Sequence, residues 1–367
     1  MCHLIYTDTF YMKRKWIRWV SWILLTPIIL FVILMVLLYV PPVQNLLRRE
    51  VTAYASKVTG MQIQVERIDL RFPLNLLVRG VEVIQQPDTL LSLESLNVRV
   101  QAWPLIKGKV EVDEVTLSRV AVNSADLMEG MKIKGVLGRF FLQSHGVDLS
   151  NELAVINQVE LSDTHMQLLM NDTTTTPKDT TASAPINWKV ALHQLKLKNV
   201  SFGMQLPADS MRMTAHIGEA AINNAQADLK NQYYDLKKFL LSGTSASYDT
   251  GTAQPTEGFD ASHIAVRDIR IALDSLLYKG RDMNAVIREF TMNERSGLSV
   301  TALTGRAYSN DSVICVPSLK LNTPHSEIDL SAHTYWELVN IPTTGRLSAR
   351  LNAYIGKEDV MLFAGAL

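Results

Sequence analysis

The apolar residues of this chain recur as pairs: two positions two apart, two residues skipped, then the next pair. The first copy reads Val110, Val112, Val115, Leu117, Val120, Val122, and 80 residues on it returns as Val190, Leu192, Leu195, Leu197, Val200, Phe202. Ala154, Ile156, Val159, Leu161, Thr164 and Met166 form a weaker copy. A fourth is Ile264, Val266, Ile269, Ile271, followed by Asp274 and Leu276. A spacing of two is strand spacing, because successive side chains point to opposite faces. The skip of two inverts the phase, so a bulge, a bend or a very tight turn must separate the pairs. No helix satisfies this pattern. Repetition of one strand-rich unit predicts an all-β, stacked and elongated, repeat-like structure over residues 61–367.

Elsewhere the pattern changes. Val43, Leu46, Leu47, Val51, Tyr54, Ala55 and Val58 recur at helical spacing, which predicts an amphipathic helix over 42–59, with Pro42 at its start and Gly60 after its end. Such a helix either lies on a membrane surface or caps the first edge of the strand stack, the second being the better fit because a stack of strands must cover that edge. Strands follow at once: Ile68, Leu70, Phe72; Leu76–Val78; Val81 and Val83, with Gly80 as a turn; then Leu91, Leu93, Leu96 and Val98. Residues 103–108 read as a turn-like break. Gly130, Gly135, Gly138 and Gly146 predict loops within 123–150. Two polar, low-complexity segments, 171–185 and 243–258, read as surface loops between units. The rhythm resumes at Ala285, Ile287, Phe290 and Met292, then at Leu319, Leu321, Ile328 and Leu330. Counted this way, about 25 strands at 4.8 Å each would stack to about 120 Å.

One segment lies outside the β pattern. Trp19–Val40 runs 22 residues without a charge, about 33 Å as a helix and enough to cross a hydrocarbon core of about 30 Å. Lys13, Arg14, Lys15 and Arg18 precede it, and Trp16, Trp19, Trp22 and Tyr39 mark its ends. The expectation is a cytoplasmic N-terminus at 1–18, a transmembrane signal anchor at 19–40, and everything after it outside. A cleavable signal peptide fits less well, since the apolar run exceeds the usual length and no Ala-x-Ala site follows.

Composition narrows the function. With 36 basic and 36 acidic residues the formal charge is zero, which leaves no case for a nucleic-acid partner. Cys2 and Cys315 would fall on opposite sides of the membrane, and Cys315 reads as a buried strand thiol. The eight histidines are scattered without metal-ligand spacing and read as solvated strand or loop residues. No phosphate loop, G-x-S-x-G or H-E-x-x-H motif occurs. Glu111, Asp113 and Glu114 sit between apolar pairs, as on the wet face of a strand. The expectation is a protein that is not an enzyme and uses neither cofactor nor metal.

What remains is apolar surface. In a closed sandwich the pairs would be an ordinary core. In a trough their face stays open, and so large an exposed patch needs a function. Acyl chains are the natural occupant, since each CH₂ removed from water is worth about 0.8 kcal/mol. The candidate lining is Val110, Val112, Val115, Leu117, Val190, Leu192, Leu195, Leu197, Ile264, Val266, Ile269 and Ile271. The phase inversions leave open which of them share a face.

The order of segments resembles the AsmA-like superfamily and, within it, the N-terminal portion of the Bacteroidetes-type TamB family (translocation and assembly module subunit TamB). The likeness is strongest over 12–122: a basic start, signal anchor, Pro41-Pro42, helix, Ala55–Gly60, Val65–Leu70, Asp88–Leu93, Pro104–Gly108, and Val110–Val122. Residues Ala227–Asp235, through Phe239 to Ser247–Asp249, resemble that family's repeats. The resemblance implies an inner-membrane, single-pass protein whose periplasmic part is a curled β-groove serving outer-membrane biogenesis. Passive conduction of phospholipid between the two membranes is one implied role. The alternative is protein secretion and assembly with a TamA-like outer-membrane barrel, a chaperone-like role that would work by strand addition. The family's barrel-contacting C-terminal domain has no counterpart here, as in an N-terminal fragment, so barrel contact would need a region absent from this chain.

Overall fold

The computed structural model describes residues 36, 39–106, 111–124, 130–148, 151–170, 187–340 and 345–364. The expected segments 1–18, nearly all of 19–40, Val110 and the loop 171–185 lie outside the described residues. Among the described residues no helix is long and apolar enough to cross a membrane.

Helix α1 (Pro41–Thr59) begins one residue before the expected start, with proline in its first turn. It ends at Gly60, whose left-handed φ of 70° lets its N–H bond the Ser56 carbonyl. There follow β1 (Gln62–Arg71), β2 (Asn75–Gln85), β3 (Asp88–Val100) and the short helix α2 (Ala102–Ile106), which occupies the expected break. Next come β4 (Val112–Asn123), β5 (Met131–Asp148), β6 (Leu153–Met170), β7 (Lys189–Leu206), β8 (Met211–Asp228), β9 (Tyr233–Asp249) and β10 (His263–Lys279). The rest is β11 (Asp282–Glu294), β12 (Ser299–Val300), β13 (Ala302–Ser309), β14 (Val313–Asn322), β15 (Glu327–Tyr335), α3 (Trp336–Asn340), β16 (Leu347–Tyr354) and α4 (Lys357–Ala364).

All sixteen strands belong to one sheet, which is curled and open, running from β1 to β16 in chain order with β12 beside the path. Neighbours are antiparallel except β6 and β7, which run parallel. That pair sets two copies of the rhythm side by side in register, Ala154 to Val190, Val159 to Leu195 and Leu161 to Leu197.

The strands are fewer and longer than expected. Each central copy of the rhythm is a continuous strand of 17 or 18 residues, so fifteen strands lie on the path and span roughly 70 Å along the hydrogen-bonding direction. Three local expectations fail for one reason, the reading of small residues as loop signals. Residues 131–148 form β5, Gly80 lies inside β2, and 243–249 complete β9, so the second loop is 250–262. In β9 the polar positions alternate with Ala246 and Tyr248, and Ser247 pairs Thr214 with their hydroxyls 2.7 Å apart. Phe72 falls in the β1–β2 turn and is 84% exposed.

The two ends of the sheet differ. Side chains of α1 satisfy the outer edge of β1. Gln44 donates to the Leu70 carbonyl (3.0 Å), Arg48 to the Glu66 carbonyl (2.7 Å), and the Ile63 N–H to Ser56 Oγ (3.1 Å). At the other end every residue of β16 is exposed.

His263 departs from the solvated reading. It is buried, and its Nδ1 bonds Asp260 at 2.9 Å. Asp260 also accepts the backbone N–H groups of Thr256 and Ser262, and these three bonds hold its carboxyl down at about pKa 2. A depressed carboxyl stabilises the fold above its unfolded value of 3.8, and that stability is lost as pH falls through the folded value. Acid titration between about pH 4 and 2 should therefore loosen the 250–262 loop, read as faster proteolysis there. Asp260→Asn should flatten that pH dependence, and an unchanged acid profile would contradict the assignment.

Candidate apolar face

The register places apolar residues in rows across the sheet. One row crosses all fifteen strands of the path. Leu70, Leu76, Val98, Val115 and Leu142 take it from β1 to β5. Val159, Leu195, Ile222, Phe239 and Leu273 carry it to β10. Ile287, Gly305, Leu319, Leu330 and Leu351 complete it to β16. Two positions along each strand, and three on β11 where the register shifts, runs a second row. It passes through Ile68, Val78, Leu96, Leu117 and Phe140, then Leu161, Leu197, Ala220, Leu241, Ile271 and Phe290. Between them on the opposite face run mixed positions such as Thr116, Glu160 and Lys196.

The phase inversions occur at a crease shared by neighbouring strands. At Glu66, Gly80, Glu94, Arg119 and Gly138, and on through Asp163, Asn199 and Gly218, the pairing skips one residue in both partners. Several of these residues are left-handed: Gly80 (φ 60°), Arg119 (46°), Asp163 (51°) and Asn199 (52°), with Gly243 (59°) and Asp268 (54°) continuing the line. Asn and Asp enter that region more readily than most residues. Polar side chains join across the crease. Arg119 pairs with Glu94, Asn199 donates to Asp163 (2.7 Å), and Asn293 donates to Asp268 (3.2 Å).

The crease answers the question of facing. Lys198 and Asn199 are consecutive and exposed, flanked by half-buried Leu197 and Val200. Arg267 and Asp268 repeat this between Val266 and Ile269. Two outward residues in succession return the alternation to its first phase, so the apolar pairs on either side of the crease share one face. A second crease passes through Asn157, His193 and Asn224, where the pairing again skips. It continues to Asp274, whose carboxylate lies 3.3 Å from Arg288.

The predicted lining residues fall into these rows. Val115 and Leu195 are in the first row, and Leu117, Leu197 and Ile271 in the second. Val112, Leu192, Val190, Ile264 and Val266 lie beyond the creases on the same strands, and Ile269 lies between them, two residues from Ile271. All eleven are half-buried. Ile287, Leu319 and Leu330, read as part of the rhythm but not among the candidate lining residues, extend the first row, and so do Ile222 and Phe239, which the sequence reading did not place in the rhythm because that of their own strands is incomplete. The face is not a dry core. Among the described residues no side chain is fully buried, and only six apolar residues, three of them alanines, count as buried at all. Every residue of the first row from Leu70 to Leu330 is half-buried, and Leu351 is 60% exposed. No second sheet covers the face among the described residues.

No known family model matches this chain, and no curated protein is significantly similar to it.

The remaining candidates stay apart. Cys315 is half-buried, not buried as expected, and pairs in register with Tyr308, whose hydroxyl pKa it raises. Asp113 bonds Gln101, and Glu114 pairs with Arg99 at 3.2 Å across neighbouring strands. Among the described residues no group of His, Cys, Asp or Glu is placed to hold a metal.

Proposed function

We propose that this chain is a membrane-anchored β-groove of the AsmA-like, TamB type. In this reading it passively conducts phospholipid acyl chains between the inner and outer membranes. The observation that carries the reading is the apolar row from Leu70 to Leu351, which crosses every strand of the path and is neither exposed to water throughout nor sealed into a core. Acyl chains along such a row would bury their methylenes at about 0.8 kcal/mol each. Headgroups would remain in water. Movement needs no chemistry, because a continuous apolar surface presents one methylene after another with nearly equal energy. The apolar span at 19–40 and the ordered segments of 12–122 support the inner-membrane placement.

Photocrosslinking in cells tests this, with a photoreactive residue at position 115, 195, 273 or 330. Phospholipid adducts are expected at all four, and none at 196 or 198 on the opposite face. Absence of lipid at the row positions would overturn the proposal.

The second reading, an assembly factor that offers a strand edge to nascent polypeptide, is favoured by β16, whose residues are all exposed at the end opposite α1. It predicts polypeptide adducts at 347–354 instead.

A further inference from the structure

A concavity lies across β5 to β9, toward the ends of those strands beyond the first crease. It encloses about 470 Å³, within the range of small-molecule sites. Its polar lining includes Lys134, Arg212, His165, His216, Ser201 and Ser245. Lys132 lines it too, and no Asp or Glu does. Ser201 Oγ lies 3.0 Å from His216 Nδ1, and the Gln167 amide stands 3.1 Å from His165 Nε2. Arg212 is paired in register with Asp249, and the two line a neighbouring concavity together. Of the apolar residues at its wall, Leu169 is in register with Gln205 and Arg212 and shares their face, while Leu168, Phe202, Met204 and Met213 alternate with the polar set and belong to the other face.

These polar residues alternate with the apolar rows. Ser201 stands between Val200 and Phe202, and His165 between Thr164 and Met166, so their side chains point to the face opposite the proposed acyl path. A concavity with cations and hydroxyls but no carboxylate on its wall, with Leu169 and Gly203 beside them, matches a ligand with an anionic head and a short apolar body. Lysine meets a phosphate as a compact point charge, and the arginine fork can grip two of its oxygens.

We propose that this concavity binds the phosphate group of an anionic amphiphile, held by Lys134 and Arg212 with Ser201, His165 and His216 around it, and with the apolar body against Leu169. The site goes beyond the conduction reading and does not depend on it, since it uses the other face of the sheet.

Isothermal titration of the full chain in a non-ionic detergent tests it, using dihexanoyl phosphatidic acid as probe and dihexanoylglycerol and inorganic phosphate as comparisons. The phosphatidic probe is expected to bind at least about tenfold tighter than either, and Lys134→Gln with Arg212→Gln to weaken it by at least about tenfold, the scale of one charged hydrogen bond. His216→Gln serves as a second variant with no change of volume at the cations. Leu195→Asp, on the far face, should leave this binding unchanged even where it abolishes lipid transfer. Equal binding of the neutral probe, inorganic phosphate as tight as the amphiphile, an unaffected double variant, or loss of binding in Leu195→Asp would each overturn the proposal.

Discussion

Gly138→Val is expected to cost about 2–3 kcal/mol of stability, the scale of forced overpacking against groups that cannot move aside. A Cβ at Gly138 would lie 2.7 Å from both the Cβ and the carbonyl oxygen of Asp163, and 3.0 Å from the Ser162 carbonyl. Two of those three atoms are backbone of the paired strand β6, held by a register that runs the length of β5. Gly138 stands in the crease, where one strand's left-handed residue presses on its neighbour. Gly218 meets the same demand, its Cβ position 2.7 Å from the Gly243 carbonyl. Gly203→Ala is the contrast: its nearest neighbour atom is 3.8 Å away, and the change should cost no more than about 0.5 kcal/mol, as a surface strand position does. Urea midpoints of the two variants, with hydrogen exchange across β5 and β6, measure the difference. Equal midpoints would mean that Gly138 occupies a slack loop, as its sequence context suggested.

Leu195→Asp is expected to reduce phospholipid transfer by more than about tenfold while lowering stability by only about 1–2 kcal/mol. Leu195 is half-buried and sits in the middle of the first row, between Val159 and Ile222. Its carboxylate would reach water in the empty groove, so the folded state bears little of the cost of burying a charge. An acyl chain passing that point would have to strip the charge of water, which is the expensive step. The row offers no detour at that strand. Lys196→Asp, one residue along on the opposite face and exposed, places the same carboxylate where no chain would pass and should leave transfer intact. Transfer between donor and acceptor vesicles, with circular dichroism as the check on folding, separates the two. Normal transfer by a folded Leu195→Asp protein would remove the row from the mechanism.

The all-β character, the first helix with its Gly60 stop, and the apolar identity of the rows were legible in the chain itself. They follow from local chemistry: period-two alternation, helical spacing at 43–58, and proline and glycine at the helix ends. The two skips in each copy were also visible, and they correctly announced two interruptions of the pleat. What they could not announce was that the interruptions align. Arg119, Gly138, Asp163 and Asn199 stand opposite one another only because four strands adopt one register. Glycines in 131–148 looked like loops for the same reason, since the close approach that requires them involves a residue far away in sequence. The parallel pairing of β6 and β7, the fifteen-strand row, and the basic concavity on the other face likewise depend on which strand lies beside which. Sequence by itself determined the alternation within each strand, because steric and solvation preferences act between near neighbours. The tertiary structure alone decided which residues share a row and a face, because register is set by contacts between strands.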